Sequence, residues 1–263
     1  MKVVDGSYTK LTVGRARGLK ALGYDAWVQC LWTGSERPDT AIENLRNAEA
    51  GGLLIMSYIS LAGGNSGGWH VDRGRAGVPD DLWARLLLGF VDVELAGIQV
   101  GAVREAVDTL AGDTFGCKRR AIYTSHHAWV DFMGNPTSFT DCLLWNAYWD
   151  DDPDIDFQRL PFGGWSLSQL IGEQYHEGTE VAGVFVDLSE FNQRLLEEEA
   201  MAQDNEARRI AAVNTACRLT SGAVGLDDMV KVVGLLTYFG ILPEGTTPLF
   251  PSIDAASRVQ AGK

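Results

Sequence analysis

The sequence predicts an α/β fold, a TIM-like barrel in which parallel strands alternate with helices along the chain. Short apolar runs alternate with helix-length amphipathic segments up to residue 133, a rhythm that is typical of strand–helix–strand units. The third apolar run, 53–60, carries few polar residues, as expected for a strand that is covered on both faces. A chain of 263 residues is long enough for a barrel of this kind.

Five strand–helix pairs come first along the chain. The strands are predicted over residues 2–6, 26–32, 53–60, 89–95 and 119–124. The helices are predicted over residues 12–22, 39–50, 79–87, 100–110 and 127–133. A glycine-rich stretch over 63–77 favours a flexible lid ahead of the third helix. Pro79 and the acidic Asp80 and Asp81 suit the start of that helix, because proline and negative charge are both favoured at a helix amino terminus.

The rhythm changes after residue 133. Three more strands are predicted over 142–149, 165–171 and 181–188, with spacers rich in Asp, Pro and Gly and without a clear helix. Eight strands with five helices among the first five indicate a barrel of the (β/α)5β3 type over residues 1–192. A charged helical run and a shorter apolar helix predict a helical C-terminal extension over 193–263.

Composition argues against several kinds of partner and site. The 35 acidic residues outnumber the 22 basic ones, and the net charge of −13 makes nucleic acid a poor partner. No apolar run is long enough to span a bilayer, so no membrane insertion is expected. The opening segment MKVVDGSYTK lacks the pattern of a signal peptide, which predicts synthesis in the cytoplasm. The four cysteines lack zinc-site or disulfide spacing, and the pair His126–His127 is typical of a surface loop, so no metal is predicted.

Asp92 and Glu94 are the most informative residues. They flank Val93 at the end of the fourth predicted strand, where alternate side chains point the same way, with Cα atoms about 6.5–7 Å apart. Active sites of βα barrels lie at the carboxyl ends of the strands. Two like charges this close cannot both ionise freely, so the pKa of one should rise, an arrangement that glycoside cleavage uses. The alternative is a pair of solvated loop acids.

Two further acids end apolar runs. Asp5 follows Val3 and Val4 at the end of the first predicted strand, and Asp187 follows the apolar run 184–186 at the end of the eighth. Because the first and eighth strands of a closed barrel are neighbours, we expect these two carboxyl groups to meet at one rim. Each could instead be a helix N-cap.

Aromatic residues also fall on or near predicted strand ends. They are Tyr58, Tyr123, Trp145, Tyr148 and Trp165. Sugars present flat C–H faces that stack on such rings, but for any one ring ordinary core packing is the alternative.

The motifs together resemble glycoside hydrolase family 25, the lysozymes that cut peptidoglycan. Seven segments match in order over residues 1–192. They are VVDGS at 3–7, IMSY at 55–58, FVDVE at 90–94, IYTS at 122–125, LWNAY at 144–148, Trp165 to Gln169, and GVFVDLSEF at 183–191. The resemblance implies a muramidase that cleaves the β-1,4 bond between N-acetylmuramic acid and N-acetylglucosamine, without a cofactor.

The resemblance also implies roles for the site residues. Glu94 would be the general acid, while Asp92 would either stabilise the developing positive charge or orient the substrate's N-acetyl group. Asp5 and Asp187 would tune the proton of Glu94 and hold the sugar. The substrate-binding residues would be Tyr58, Tyr123, Trp145, Tyr148 and Gln169. The expected partner is the peptidoglycan glycan strand.

Two further expectations accompany this reading. Cell-wall degradation by a chain made in the cytoplasm predicts a bacteriophage endolysin or a virion-associated lysin. The extension over 193–263 would then serve oligomer assembly, docking to a phage particle or wall binding. The segment 31–34, LWTG, lacks the family's lysine, and the third strand lacks the family's aromatic residue shortly after Tyr58. These two departures leave open an inactive barrel that binds glycan or a partner protein.

Overall fold

The computed structural model describes residues 1–112, 120–156 and 161–196, which belong to one compact unit, Met1–Gln203. Eight strands follow one another around a closed barrel, which confirms the predicted α/β barrel. The strands are β1 (Lys2–Gly6), β2 (Ala26–Trp32), β3 (Leu54–Ser60), β4 (Gly89–Asp92), β5 (Ala121–Ser125), β6 (Leu143–Ala147), β7 (Leu170–Val181) and β8 (Val184–Phe191).

Helices follow each of the first four strands, and a π-helical turn at Ala128–Phe132 follows β5. The described residues between β6 and β8 contain no helix. The helices are α1 (Val13–Ala21), α2 (Ala41–Ala50), α3 (Gly67–Arg75), α4 (Asp80–Trp83) and α5 (Val100–Gly112).

The eighth strand runs antiparallel to both of its neighbours, β7 and β1, whereas the other strand pairs are parallel. The prediction of an entirely parallel barrel is therefore wrong for β8. The reason is a two-residue turn, Ala182 and Gly183, whose φ angles of 52° and 74° suit a tight hairpin. A parallel return would need a crossover of about a dozen residues or more. The boundaries predicted for these two strands, 165–171 and 181–188, also lie too early.

The predicted glycine-rich lid contains a helix, α3, and the helix predicted over 79–87 shortens to α4. The glycines of α3 allow this helix to pack closely against its neighbours. A Cβ on Gly67 would lie 1.8 Å from the carbonyl oxygen of Ala102 in α5, and one on Gly74 would lie 2.6 Å from the Ile59 side chain. The Ser66 hydroxyl caps the helix by accepting from the Trp69 N–H at 3.2 Å.

The barrel interior is filled by apolar side chains that alternate with those facing the helices. Large aromatic rings form one layer of this interior. The centroid of the Trp145 ring lies 4.4 Å from that of Tyr123 and 5.1 Å from that of Phe90. All three rings are buried. This packed layer gives the carboxyl ends of the strands an apolar floor.

Only residues 193–196 of the predicted extension belong to the described part of the chain. The remainder of that prediction, 197–263, lies outside it. Among the described residues, no helix combines the length and apolar character that crossing a membrane requires.

We expect Gly67→Ala to lower the free energy of unfolding by about 1–3 kcal/mol, because the added methyl group must displace the backbone of α5. Gly101→Ala is the matched control, since a Cβ on Gly101 meets nothing within 4 Å. Urea unfolding of both variants measures the difference. Equal losses of stability would contradict the packing role of Gly67.

Candidate active site

The four predicted carboxyl groups share one site at the open end of the barrel. Asp5 and Asp187 are paired neighbours across β1 and β8, and Asp92 ends β4 two residues before Glu94. Their charges act on each other. The pKa of Asp5 is raised well above its usual value, first by burial and then by Asp187, with smaller contributions from Glu94 and Asp92.

Asp187 occupies a different position in its strand from the one predicted. It lies inside the antiparallel β8, so it neither ends a strand nor caps a helix. Its carboxyl group accepts the backbone N–H of Gly178 at 2.7 Å, across the hairpin. Burial raises the pKa of Asp187, whereas this hydrogen bond lowers it.

Glu94 and Asp92 differ in how firmly they hold a proton. Burial, then the charge of Asp92, raises the pKa of Glu94 to about 8, and Asp187 and Glu177 add to the rise. Burial raises the pKa of Asp92 to about 6, opposed by a hydrogen bond from the Ser60 hydroxyl. At neutral pH, therefore, Glu94 retains its proton while most of Asp92 is ionised.

A cavity of about 350 Å³ opens beside Glu94, over the carboxyl ends of β4, β5 and β6. Its other lining residues are Ser125, His126, His127, Ala128, Ala147, Tyr148 and Trp149. Of the predicted site residues, Glu94 and Tyr148 line this cavity. A partly buried acid thus borders a space large enough for a sugar unit.

Two of the predicted substrate-binding tyrosines belong to the hydrogen-bond network around the acids. Tyr58 is half-buried, and its hydroxyl is bonded to that of Ser7. Tyr123 is buried and donates its hydroxyl hydrogen to Gln174 Oε1 at 2.8 Å. The Tyr123 hydroxyl also lies at the Glu94 carboxyl group, where a hydrogen bond donated by it would lower the pKa of Glu94.

The structure does not bring Trp145 or Gln169 to the cavity. Trp145 is fully buried in the barrel interior, where its indole N–H donates to Ser189 Oγ at 3.2 Å. Gln169 precedes the amino end of β7, and its Oε1 accepts the Ser166 N–H at 2.9 Å. Gln169 therefore lies at the end of the strands opposite the carboxyl cluster, and Trp145 packs inside the barrel, so neither side chain borders the cavity.

Three residues of the site were missed from the sequence. Ser60 holds Asp92, Gln174 donates to Asp5 Oδ2 at 2.9 Å, and Trp149 donates to Gln174 Oε1 at 2.9 Å. A signal existed for Trp149, because it is an aromatic residue directly after Tyr148 at the end of the predicted strand 142–149. Gln174 was hidden by the early boundary predicted for the seventh strand.

The histidine pair lies at the cavity edge. His127 Nδ1 is 2.6 Å from Asp131 Oδ2, and the His126 ring packs edge-on against Phe162. Within residues 1–112, 120–156 and 161–196, no three His, Cys, Asp or Glu side chains form a group that could hold a metal ion.

Comparisons with known proteins agree with this geometry, although no family model matches the chain. A segment of 147 residues, 56% of the chain, is 35% identical to the Dictyostelium discoideum protein named probable GH family 25 lysozyme 4 and covers 59% of it. A segment of 70 residues, 27% of the chain, is 37% identical to probable GH family 25 lysozyme 3 of the same organism and covers 14% of it. The chain is thus similar in sequence to proteins named as family 25 lysozymes.

The fold comparison extends over more of the chain. A bacterial lysozyme from Streptomyces coelicolor superposes with a TM-score of 0.63 and 20% identity, covering 78% of this chain and 97% of that one. At this identity the match shows the shared barrel. The chain spans less than two thirds of the length of each of the two Dictyostelium family 25 relatives.

We expect Glu94→Gln to stabilise the fold in a pH-dependent way. The pKa of Glu94 rises from 4.5 to about 8 on folding, so ionisation opposes folding and the wild type loses stability as the pH rises through this window. Removing the charge should give a gain of about 1–2 kcal/mol at pH 8, discounted because the group is only partly buried, and almost none at pH 4. Urea unfolding at both pH values measures it, and an equal effect at both would contradict the raised pKa.

Proposed function

We propose that this protein is a member of glycoside hydrolase family 25 and a peptidoglycan hydrolase, a muramidase that cleaves the β-1,4 bond between N-acetylmuramic acid and N-acetylglucosamine. The observation that carries the proposal is Glu94, a carboxyl group with a pKa of about 8 at the edge of an open cavity and beside a second, more acidic carboxyl group. Two carboxyl groups with separated pKa values are what glycoside hydrolysis requires.

Glu94 supplies the proton in this mechanism. Its carboxyl group is neutral at pH 7 and borders the cavity, so it can protonate the oxygen of the glycosidic bond as that bond breaks. The carboxylate that remains then takes a proton from the incoming water, which returns Glu94 to its starting state.

Asp92 supplies negative charge. With a pKa of about 6 it is mainly ionised at pH 7, so it can stabilise the positive charge that develops on the sugar ring. The same carboxylate can instead orient the N-acetyl group of the substrate as the nucleophile. The Ser60 hydroxyl holds one oxygen of Asp92, and the other oxygen is buried without a hydrogen-bond partner among the described residues.

Asp5 and Asp187 raise the proton affinity of the cluster and border the sugar. Charge from Asp187 raises the pKa of both Glu94 and Asp5. The cavity beside Glu94 is also lined by Tyr148 and Trp149, whose rings can stack on a neutral sugar. A net charge of −13 does not oppose such a substrate, because the glycan backbone itself contributes little charge.

The biological setting proposed with this activity is the bacterial cell wall, where the chain would act as a phage lysin or a virion-associated lysin. Residues 193–263 would provide assembly, docking or wall binding. These two statements rest on the sequence and remain predictions.

Replacing Glu94 by Gln should reduce the release of reducing ends from purified peptidoglycan by at least about 10²-fold, because the amide cannot donate a proton to the leaving oxygen. Binding of the variant to sedimented peptidoglycan should persist. Glu36→Gln, at an exposed loop position, is the matched control and should cleave like the wild type. A wild type that binds peptidoglycan without releasing reducing ends would support the glycan-binding alternative instead.

The dependence of kcat/KM on pH should be bell-shaped. Cleavage needs ionised Asp92 and protonated Glu94, so the two limbs should fall near pH 6 and pH 8 and belong to the coupled pair. Ser60→Ala removes the hydrogen bond that lowers the pKa of Asp92, and should move the acid limb up by less than about one unit. An acid limb that does not move would show that Asp92 does not set it.

A further inference from the structure

Trp149 connects the cavity wall to the carboxyl cluster through Gln174. The indole ring is 52% exposed at the cavity, yet its N–H donates to Gln174 Oε1 at 2.9 Å. The same oxygen accepts the hydroxyl hydrogen of Tyr123 at 2.8 Å, and the amide nitrogen donates to Asp5 Oδ2 at 2.9 Å. Gln174 is only 2% exposed, so water does not compete for its amide.

Trp149 differs from the other partners of this amide in what it can do. An indole N–H can only donate, whereas a phenol and a carboxyl group can each donate or accept. Trp149 therefore fixes the direction of the Gln174 amide, with Oε1 toward the indole and Nε2 toward Asp5. Asp5 must then present a lone pair, and the amide hydrogen bond accordingly lowers the pKa of Asp5.

The direction of the amide also fixes the hydroxyl hydrogen of Tyr123. Because that hydrogen is directed at Gln174 Oε1, the phenol oxygen is left as an acceptor on its other side. The Tyr123 hydroxyl lies at the Glu94 carboxyl group, and a hydrogen bond donated by the phenol there would lower the pKa of Glu94. The phenol has a single hydrogen, so while that hydrogen is directed at Gln174 it cannot be donated to Glu94. Two acceptors in contact repel, so this arrangement is satisfied when Glu94 holds a proton and donates it to the phenol oxygen.

We propose that Trp149 is a positioning residue which, through Gln174, assigns the proton shared by the carboxyl cluster to Glu94 and leaves Asp5 as an acceptor. The assignment itself is a property of the free protein. Its catalytic consequence, that the carboxyl group lining the cavity is the one that holds the proton to be donated, rests on the proposed function.

The charges around Glu94 do not make this choice by themselves. Acidic groups on four strands or their ends surround it and favour retention of protons throughout the cluster. The titratable groups that face Glu94 are Asp92 next to it, Asp5 on β1, Tyr123 on β5, Glu177 and Asp187 on the hairpin, and His126 and His127 at the cavity. Repulsion among the acids requires protons to be kept, whereas the direction of hydrogen bonds decides which carboxyl group keeps them.

Trp149→Phe tests the assignment, because it keeps an aromatic ring at the cavity and removes the donor. The readout is a ¹³C NMR pH titration of protein labelled at the Asp and Glu carboxyl carbons. The signals of Glu94 and Asp5 are assigned by their loss in Glu94→Gln and Asp5→Asn. We expect the midpoint of Glu94 to fall by about one pH unit and that of Asp5 to rise, which is the scale of one hydrogen bond.

Trp69→Phe is the matched control, since Trp69 is a half-buried tryptophan on α3 that packs against Trp32 and His70. It should leave both midpoints unchanged. In kinetics with peptidoglycan, Trp149→Phe should move the alkaline limb of kcat/KM to lower pH with little change in KM.

Unchanged midpoints in Trp149→Phe would overturn the proposal, including when cleavage is lost, because Trp149 would then act only by contact with the substrate. Shifted midpoints together with a wild type that cleaves no peptidoglycan would keep the proton assignment and reject the proposed function. The two failures are therefore distinguishable.

Discussion

Four neighbouring carboxyl groups, two of them buried and two half-buried, impose the constraint on which the rest of the site depends. For Asp5, Asp92, Glu94 and Asp187 alike, burial is the largest cause of a raised pKa, and for Asp5 and Glu94 repulsion between the acids adds to it. The aromatic layer beneath them keeps water from one side of the cluster. The cluster therefore lowers its negative charge by keeping protons on some of its carboxyl groups. A proton kept on Glu94, beside the open cavity, can be donated to a bound substrate.

The barrel is what makes this crowding tolerable. Backbone pairing between β1 and β8 places Asp5 opposite Asp187 whether or not their charges repel, because the strand hydrogen bonds, not the side chains, set the register. The antiparallel direction of β8 also turns the β7–β8 hairpin into a wall, from which Gly178 supplies a backbone donor to Asp187. The stability of the closed sheet and its tightly packed helices thus offsets the repulsion among the carboxyl groups of the site.

The sequence allowed site residues to be predicted where they lie at the ends of apolar strands. Asp5, Asp92 and Glu94 could be located because a carboxyl group that ends an apolar strand must lie at one rim of a barrel. The direction of β8 was not predictable from apolar runs, since a strand reads the same in either direction and only the turn at Ala182–Gly183 decides it. Gln174 and α3 were missed because their roles depend on contacts between elements, which local patterns do not carry.

The altered end of the second strand, LWTG at 31–34, was one of two reasons to consider an inactive barrel. The structure gives that segment a packing role, because the Trp32 indole N–H donates to His70 Nδ1 at 3.0 Å and ties β2 to α3. The change therefore removes no group from the carboxyl cluster, which keeps all four acids. A barrel that only bound glycan would gain nothing from buried like charges that raise each other's pKa and destabilise the fold above the unfolded-state pKa. The presence of this destabilising carboxyl cluster, with Glu94 at the cavity, favours the proposed glycan cleavage over glycan binding alone.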